Sequence, residues 1–351
     1  MEKITVIGLD LAKSVFQAHG ANAAGARVFS RRLSRTQLAA FFAKQPPCIV
    51  AMEACGGAHH WGRLIAGFGH EVRMLPAAEV TPFVREPKTD ASDAAAIAEA
   101  AVRPALRTVP LKTPEAQALC SAHALRDRLI AMRTMQINML RSHLSEYGMV
   151  AATGREGQAE LKELVRTGLA GQPATLAGAL LALVEAMDAG EAAIAAVDYE
   201  IAAAAKPMEA VARLREVDGI GLLSASALVA FGGDLARFKS SRAFVSWLGL
   251  APKVEKSANT VRIGSITKKG NEYLRRLLVH GARSLLHWSS LGKAGGRRPW
   301  LEDMLKRRPK PVVIVALAAK LARIAWVILV RGGRYRPPAA AVAPPREAAA
   351  A

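Results

Sequence analysis

Short apolar runs alternate with helix-period stretches along residues 1–110. Apolar runs bounded by turn residues predict β-strands, and apolar side chains at every third or fourth position predict helices. The turn-rich segment 20–26 separates two of the first three predicted strands, which indicates an antiparallel meander. The last predicted helix starts at Thr89, a suitable N-cap. The order is strand-strand-strand-helix-strand-helix-strand-helix, so we predict an α/β domain with a mixed sheet.

The next hundred residues have a helical pattern. Residues 115–148 and 174–214 carry apolar side chains at three-and-four spacing over their whole lengths, and a glycine-containing break at 154–173 separates them. Two long helices of this kind form either an antiparallel hairpin or a dimerising coiled coil. Neither shows a grouping of catalytic side chains. We therefore predict that residues 111–213 form an assembly region.

Residues 214–233 contain a helix end, a Gly-Ile-Gly turn and a second apolar helix. This order is typical of a helix-hairpin-helix, whose backbone amides can contact a DNA phosphate, but a simple link between two helices explains it equally well. Residues 337–351 are rich in Ala and Pro and are predicted to be disordered. The predicted regions are thus 1–110, 111–213, 214–336 and 337–351.

The positive charge of the chain is confined to one block. The 351 residues carry a formal net charge of +19, and residues 237–336 alone contain 23 Lys and Arg against 4 Asp and Glu. One basic module in an otherwise balanced chain indicates a polyanionic partner. The clusters at 295–300 and 306–311 are further candidates for phosphate contacts, although a solvated basic face also explains them.

Cysteine usage and apolar segments indicate a cytoplasmic protein. The three cysteines show neither CxxC spacing nor metal-ligand spacing with His, which is typical of free thiols in a reducing compartment. No apolar signal segment opens the sequence. The best membrane candidate, 312–330, contains Lys320 and Arg323 near its centre, so we predict a packed helix with both charges on one face.

Four carboxylates occupy positions that can converge. Asp10 ends the first predicted strand and Glu53 ends another, so the two side chains would lie at one sheet edge if these strands are neighbours. Asp90 and Asp93 are three residues apart at a helix start and hence share a face. Such a cluster repels itself unless a cation neutralises it. Mg²⁺ prefers hard oxygen ligands, and two such ions form a phosphoryl-transfer site.

Each of these side chains also has an ordinary structural explanation. Asp10 could cap a turn, Glu53 could pair with Lys13 or Arg63, and the other two carboxylates could complement the positive end of a helix dipole. The placement of all four at strand ends or on one helix face favours the metal site.

Several segments carry a family resemblance. IGLDLAK at 7–13, VAMEACG at 50–56 and KTDASDA at 88–94 resemble the RuvC-like domain, of ribonuclease-H fold, in DEDD-type insertion-sequence transposases. Residues 238–282 are similar to the C-terminal transposase domain of the same family. The likeness extends to about residue 336. It implies an α/β ribonuclease-H-like N-terminal domain, a central long-helix coiled-coil region and a mainly α C-terminal domain.

The resemblance also implies a nucleophile. The residues that match the family's Gly-Leu-x-Pro, Lys-x-Gly-Asn and Leu-Arg motifs are Gly249, Leu250, Pro252, Gly270, Asn271, Leu274 and Arg275. Ser257 falls on the family's nucleophilic serine, and Ala258 stands where the family usually has glycine, so the loop is expected to differ locally. From its surroundings alone, Ser257 is one of several loop serines, and a serine needs activation to act as a nucleophile.

Basic side chains near Ser257 can hold a DNA phosphate and stabilise the charge that develops on it. The candidates for nucleic-acid binding are Lys253, Lys256, Arg262, Lys268, Lys269, Arg275 and Arg276. A serine that attacks a phosphodiester would form a covalent protein–DNA intermediate. In the family, the carboxylates and the serine are understood to form one composite site across protomers.

The resemblance thus implies a transposase that cuts and rejoins DNA. Its catalytic residues would be Ser257, Asp10, Glu53, Asp90 and Asp93, of which the four carboxylates would bind Mg²⁺ or Mn²⁺. Implied partners are donor and target DNA, a non-coding guide RNA encoded by the element, and further copies of the chain in a dimer or tetramer held through the central helices. Such an enzyme would act in the bacterial cytoplasm at the nucleoid, away from membranes.

Other functions fit parts of the sequence. A RuvC-like junction resolvase would use only the carboxylates and would not need Ser257. An inactive nucleic-acid-binding protein would need neither the carboxylates nor Mg²⁺. An actin-like sugar kinase also opens with a strand that ends in Asp, but Asp10-Leu11-Ala12-Lys13 lacks the glycine that its phosphate loop requires.

Overall fold

The chain divides between Thr113 and Pro114 into two units in the computed structural model. The structure describes residues 3–84, 87, 89–104, 106–257, 260–290 and 299–336. Ala258 and the predicted disordered tail 337–351 lie outside the described residues. The separation of the central region from residues 214–336 stays a prediction, because both fall in the second unit.

The N-terminal unit contains a five-stranded sheet and four α-helices among its described residues. The strands are β1 (Val6–Asp10), β2 (Val15–Ala21), β3 (Arg27–Ser34), β4 (Ile49–Glu53) and β5 (Glu71–Leu75), and the helices are α1 (Arg35–Ala43), α2 (Ala58–Gly67), α3 (Ala77–Val80) and α4 (Asp90–Ala101). The strand order is β3-β2-β1-β4-β5. β2 is antiparallel to both of its neighbours, whereas β1, β4 and β5 run parallel. The predicted mixed α/β domain is confirmed.

Alternation along β1 divides the core of this unit between the two faces of the sheet. Ile7 and Leu9 belong to the core that includes residues of α1 and α2. Val6 belongs to a second core, which contains the alanine-rich side of α4. Because successive side chains of a strand point to opposite faces, Gly8 and Asp10 share the α4 face with Val6. The sheet therefore presents Asp10 toward the helix that begins at Asp90.

The C-terminal unit is mainly helical, with one β-hairpin among its described residues. Its elements are α5 (Pro114–Ser145), α6 (Arg155–Arg166), α7 (Ala174–Ala205), α8 (Glu209–Arg215), α9 (Leu222–Gly232), α10 (Ser241–Trp247), β6 (Pro252–Ser257), β7 (Thr260–Ile266), α11 (Glu272–Ser290), α12 (Pro299–Arg307) and α13 (Lys310–Arg331). The predicted helical C-terminal part is thus confirmed. The β-hairpin was not predicted from the sequence.

The two long helices α5 and α7 form an antiparallel pair within one chain. Leu144 of α5 packs in one cluster with Leu180 of α7, and Leu119 packs with Ile201 at the other end. Arg126 forms an ion pair with Asp198 between these ends. Of the two arrangements that the sequence allowed, the intrachain hairpin is the one observed.

A fully buried histidine joins three helices of the C-terminal unit. His123 of α5 is 0% exposed. Ser226 of α9 donates its hydroxyl hydrogen to the Leu222 carbonyl, so its oxygen accepts from His123 Nε2 at 3.1 Å. His123 Nδ1 then accepts from the hydroxyl of Tyr273 in α11 at 3.0 Å. Burial lowers the pKa of His123 to about 4, so the ring is neutral.

Helix α13 is the apolar segment that the sequence marked as a membrane candidate. By length and composition it could cross a membrane, with a mean hydropathy of 2.3 over its most apolar window. Half of that window is buried within the protein, and Leu317, Leu321 and Trp326 belong to the main core of the C-terminal unit. This burial agrees with the predicted packed helix.

Candidate active site

Asp10 and Glu53 lie side by side at one edge of the N-terminal sheet. The parallel strands β1 and β4 pair Leu9 with Met52, so the next residues of both strands are Asp10 and Glu53. Leu9 and Met52 both belong to the α1–α2 core, and the two carboxylates consequently point to the opposite face. That face is covered by α4. The structure therefore confirms that β1 and β4 are neighbouring strands.

The start of α4 supplies the other two carboxylates. Thr89 is its N-cap, and its hydroxyl oxygen accepts from the backbone N–H of Ser92 at 3.1 Å. Asp90 and Asp93 occupy the first turn. The cap fixes where the helix begins and thereby sets both aspartates at its positive end.

The four carboxylates interact electrostatically. Partial burial of Asp10 and the negative charges of Asp93, Asp90 and Glu53 together raise the pKa of Asp10 to about 6. Asp93 Oδ1 is buried and has no hydrogen-bond partner among the described residues. A buried acceptor without a donor costs about 1–3 kcal/mol. The edge thus holds negative charge that the described protein atoms leave uncompensated.

This edge fits a divalent cation by the chemistry of its donors. Within the described part of the chain, no three His, Cys, Asp or Glu side chains form a ready-made metal-binding group. The donors are nonetheless the hard oxygens that Mg²⁺ prefers. A cation bound by them would offset the repulsion at Asp10 and satisfy the orphaned oxygen of Asp93.

Ser257 is the last residue of β6 in an exposed hairpin. Every residue of β6 is exposed. The pairs Glu255–Arg262 and Ser257–Thr260 are directly opposite across the hairpin, so these side chains share one face. Val254, Ile263 and Val261 line the other face, each more than half exposed. Ser257 therefore lies on the polar face, which it shares with Glu255 and Arg262.

Close backbone contacts join the two motif segments at the base of this hairpin. A Cβ on Gly249 would lie 2.0 Å from the Lys269 carbonyl oxygen, and one on Gly270 would lie 1.9 Å from that of Trp247. Both glycines also have positive φ. Lys268 donates its backbone N–H to the Gly249 carbonyl at 3.1 Å. The motif glycines thus set how the hairpin leaves the helical core.

The candidate nucleic-acid-binding residues differ in solvent exposure and in whether their charged groups have partners within the chain. Lys253, Lys256, Arg262, Lys268 and Lys269 are exposed. In contrast, the two arginines of α11 are partly buried and have partners within the chain. Arg275 donates to the Leu248 carbonyl at 3.2 Å, and Arg276 is ion-paired with Asp127. The five exposed cations are the stronger candidates for phosphate contacts.

The sequence reasoning missed two features of these sites. Lys268 has a φ of 56°, the one positive value at a non-glycine among the described residues, and such strain is concentrated at functional sites. The hairpin of β6 and β7 was also not predicted. The alternation of the β-branched Val254, Val261 and Ile263 with polar residues could have indicated its two strands.

Comparison with known proteins gives matches in both units. The family described as "Transposase IS116/IS110/IS902 family" matches residues 211–295, and a transposase family of the IS110 DEDD type matches residues 7–149. The second match contains all four candidate carboxylates, and the first contains Ser257.

Full-length relatives agree with these matches. A Pseudomonas aeruginosa protein described as "Probable family 20 transposase" is 45% identical over 335 residues, covering 94% of this chain and 98% of its own. The transposase for insertion sequence element IS1111A of Coxiella burnetii is 36% identical, covering 96% and 92%. The transposase for IS1328 of Yersinia enterocolitica is also 36% identical, covering 95% and 98%. The chain belongs to the IS110 family of insertion-sequence transposases, enzymes that cleave and recombine DNA.

Proposed function

We propose that this transposase cuts and rejoins DNA with divalent metal held by Asp10, Glu53, Asp90 and Asp93 and with Ser257 as the nucleophile. The observation that carries the metal half is the shared face of Asp10 and Glu53 toward the first turn of α4, where Asp93 keeps a buried oxygen without a partner. The strand order β3-β2-β1-β4-β5, with β2 antiparallel, supports a ribonuclease-H-like assignment of this domain.

The carboxylates would hold Mg²⁺, with Mn²⁺ as a substitute. When bound, the ion supplies Lewis-acid stabilisation of the phosphate oxygens and helps an oxygen nucleophile or leaving group. The protein positions the four donors through the ends of β1 and β4 and through the capped start of α4. Glu53 and Asp10 present their oxygens from neighbouring strands, and the α4 aspartates present theirs from above the same face.

Ser257 would supply the covalent step. Its Oγ forms a bond to the phosphorus of a phosphodiester, and the bond from phosphorus to one sugar oxygen breaks. The serine loses its proton, and the released sugar oxygen gains one, so charge is conserved over the step. Arg262 lies on the same hairpin face and would stabilise the negative charge that develops on the phosphate oxygens.

The exposed cations of the C-terminal unit favour a nucleic-acid partner. Lys253 and Lys256 lie on β6, Lys268 and Lys269 follow β7, and Glu255 is the one acidic residue of the two strands. Donor and target DNA are the proposed substrates, and a non-coding guide RNA encoded by the element is a proposed partner of the same basic surface. Backbone phosphates are the common target of such side chains. The enzyme would work in the bacterial cytoplasm, at the nucleoid.

Helix α5 offers the proposed assembly surface. Although α7 covers one side of α5, four large apolar side chains on α5 remain exposed: Leu125, Met132, Met135 and Met139. Their spacing of seven, three and four residues is that of a coiled-coil seam. We propose that this seam joins copies of the chain into a dimer or tetramer.

A junction resolvase that uses only the carboxylates is the second candidate function, and the same edge of the sheet supports it. The two candidates differ in their need for Ser257. Purified protein would be incubated with Mg²⁺, a plasmid that carries the element ends, and RNA transcribed from the flanking non-coding DNA. We expect Asp10→Asn and Glu53→Gln to abolish all cleavage and Ser257→Ala to abolish strand exchange. Full cleavage by Ser257→Ala would support the resolvase instead.

A further inference from the structure

A nearly buried glutamine lies directly across from Asp10. β1 and β2 are antiparallel, and their register pairs Asp10 with Gln17. Directly opposite residues of antiparallel strands share a face, with Cβ atoms about 5 Å apart. Gln17 therefore points to the α4 side of the sheet, as Asp10 and Glu53 do. Only 6% of Gln17 is exposed.

The carboxamide of Gln17 is held at one end only. Its Nε2 donates to the hydroxyl of Ser30, on the neighbouring strand β3, at 2.8 Å. Its Oε1 accepts no hydrogen bond from any of the described residues. Because the nitrogen is anchored toward β3, the oxygen is the end left for a ligand on the side of β1. The oxygen is therefore free to bind a cation.

We infer that Gln17 Oε1 is a further oxygen ligand of the metal that Asp10 holds. The inference rests on the proposed function, because it concerns the same cation. Amide carbonyl oxygens are ordinary ligands of divalent cations that prefer hard donors.

The charge of the site favours a neutral donor at this position. Four carboxylates already bring a formal charge of −4 to the edge, and their mutual repulsion raises the energy of the metal-free protein. A fifth carboxylate would add to that repulsion. A glutamine adds a ligand oxygen without adding charge.

The test is Mn²⁺ binding by the full-length protein, measured from the free Mn²⁺ signal in electron paramagnetic resonance. Gln17→Met keeps the length of the side chain and removes the oxygen. We expect it to weaken Mn²⁺ binding by about 10- to 100-fold. Gln17→Glu restores an oxygen and should bind at least as tightly as the unmodified chain. Gln45→Met, the same exchange in the loop between α1 and β4, is the matched control and should leave Mn²⁺ affinity unchanged.

The outcomes separate the inference from the proposed function. If the unmodified chain binds Mn²⁺ and a folded Gln17→Met protein binds it within twofold, Gln17 is not a ligand, although the carboxylate site stands. If the unmodified chain binds no Mn²⁺, the metal site itself is wrong. Should Gln17→Met fail to fold, Ser30→Ala decides: a three- to tenfold loss of affinity supports the assignment, and no loss overturns it.

Discussion

Gly8 of β1 lies against the backbone of α4 at Ala94. A Cβ placed on Gly8 would be 2.1 Å from the Ala94 carbonyl oxygen and 2.6 Å from the backbone nitrogen of Ala98. No side chain fits in that space. Because Asp10 is two residues beyond Gly8 and Asp93 directly precedes Ala94, this close approach also sets how near the aspartates of α4 come to Asp10.

Gly8→Ala should therefore disturb both stability and the site. The methyl group can be accommodated only if α4 moves away from the sheet, which we expect to cost about 2 kcal/mol or more. The displaced Asp90 and Asp93 should weaken Mn²⁺ binding in the protein that remains folded. Thermal unfolding and Mn²⁺ titration measure the two effects.

The control for this substitution is Gly67→Ala. Gly67 ends α2, and a Cβ there would meet no atom within 4 Å. We expect Gly67→Ala to be neutral or slightly stabilising, since alanine favours helix. Equal melting temperatures for Gly8→Ala and the unmodified chain would contradict the account.

Asp10→Asn should stabilise the metal-free protein while it removes activity. At neutral pH the ionised Asp10 is partly buried and is repelled by three other carboxylates, which is why its pKa is raised to about 6. Asparagine keeps the shape and removes the charge. We expect a gain of about 1–2 kcal/mol in the free energy of unfolding without metal, measured by urea denaturation in the presence of a chelator.

His123 should make the C-terminal unit less stable as the pH falls. Its pKa is lowered to about 4 in the folded protein from 6.5, so the folded state disfavours the extra proton that the unfolded chain accepts. This contribution is fully present above pH 6.5 and is lost as the pH falls toward 4. Between pH 7.5 and pH 5 we expect a loss of about 2 kcal/mol.

His123→Gln tests the source of that pH dependence. Glutamine can still donate and accept hydrogen bonds but does not titrate. Arg126 and Asp198 lie near enough to affect the pKa of His123, and both remain in the variant. The slope of unfolding free energy against pH between 7.5 and 5 should be shallower in the variant than in the unmodified chain. Identical slopes would assign the pH dependence to other groups.

Substitutions of exposed and of ion-paired basic residues should have different effects on the salt dependence of DNA binding. Arg262 is exposed, so Arg262→Ala should weaken DNA binding and reduce the slope of log affinity against log salt by about 1. Arg276 is paired with Asp127, so Arg276→Ala should mainly lower the unfolding temperature. Filter binding of one duplex at several salt concentrations measures the slopes. An equal loss of slope in both variants would show that Arg276 also contacts phosphate.

Much of the N-terminal fold could be predicted because short local sequence patterns identify its core strands and the start of its last helix. Ile7 and Leu9 mark a buried strand by their pattern, and Thr89 marks the start of α4 by its capping chemistry. The register between β1 and β4 depends on contacts across 43 residues of sequence, as the Leu9–Met52 pair shows. The sequence could therefore predict that Asp10 and Glu53 lie side by side only on the condition that β1 and β4 are neighbours.

Other parts of the site could not be predicted for a similar reason. Gln17 has no distinguishing local pattern, and its importance appears only when the antiparallel register places it opposite Asp10. Arg276 looked like a free cation, because nothing in the sequence near it indicates the ion pair with Asp127 of α5. Long-range pairing decides both cases.

The most direct test of the account is the identity of the residue that becomes linked to DNA. The protein would be incubated with Mg²⁺, donor DNA and RNA from the flanking non-coding segment, quenched in denaturant, and the linked peptide mapped by mass spectrometry. We predict a DNA adduct on Ser257 that is lost in Ser257→Ala and Asp10→Asn and kept in Ser265→Ala, an exposed serine on β7. A DNA adduct on another residue, or strand exchange at the normal rate by Ser257→Ala, would contradict the role of Ser257 as the nucleophile.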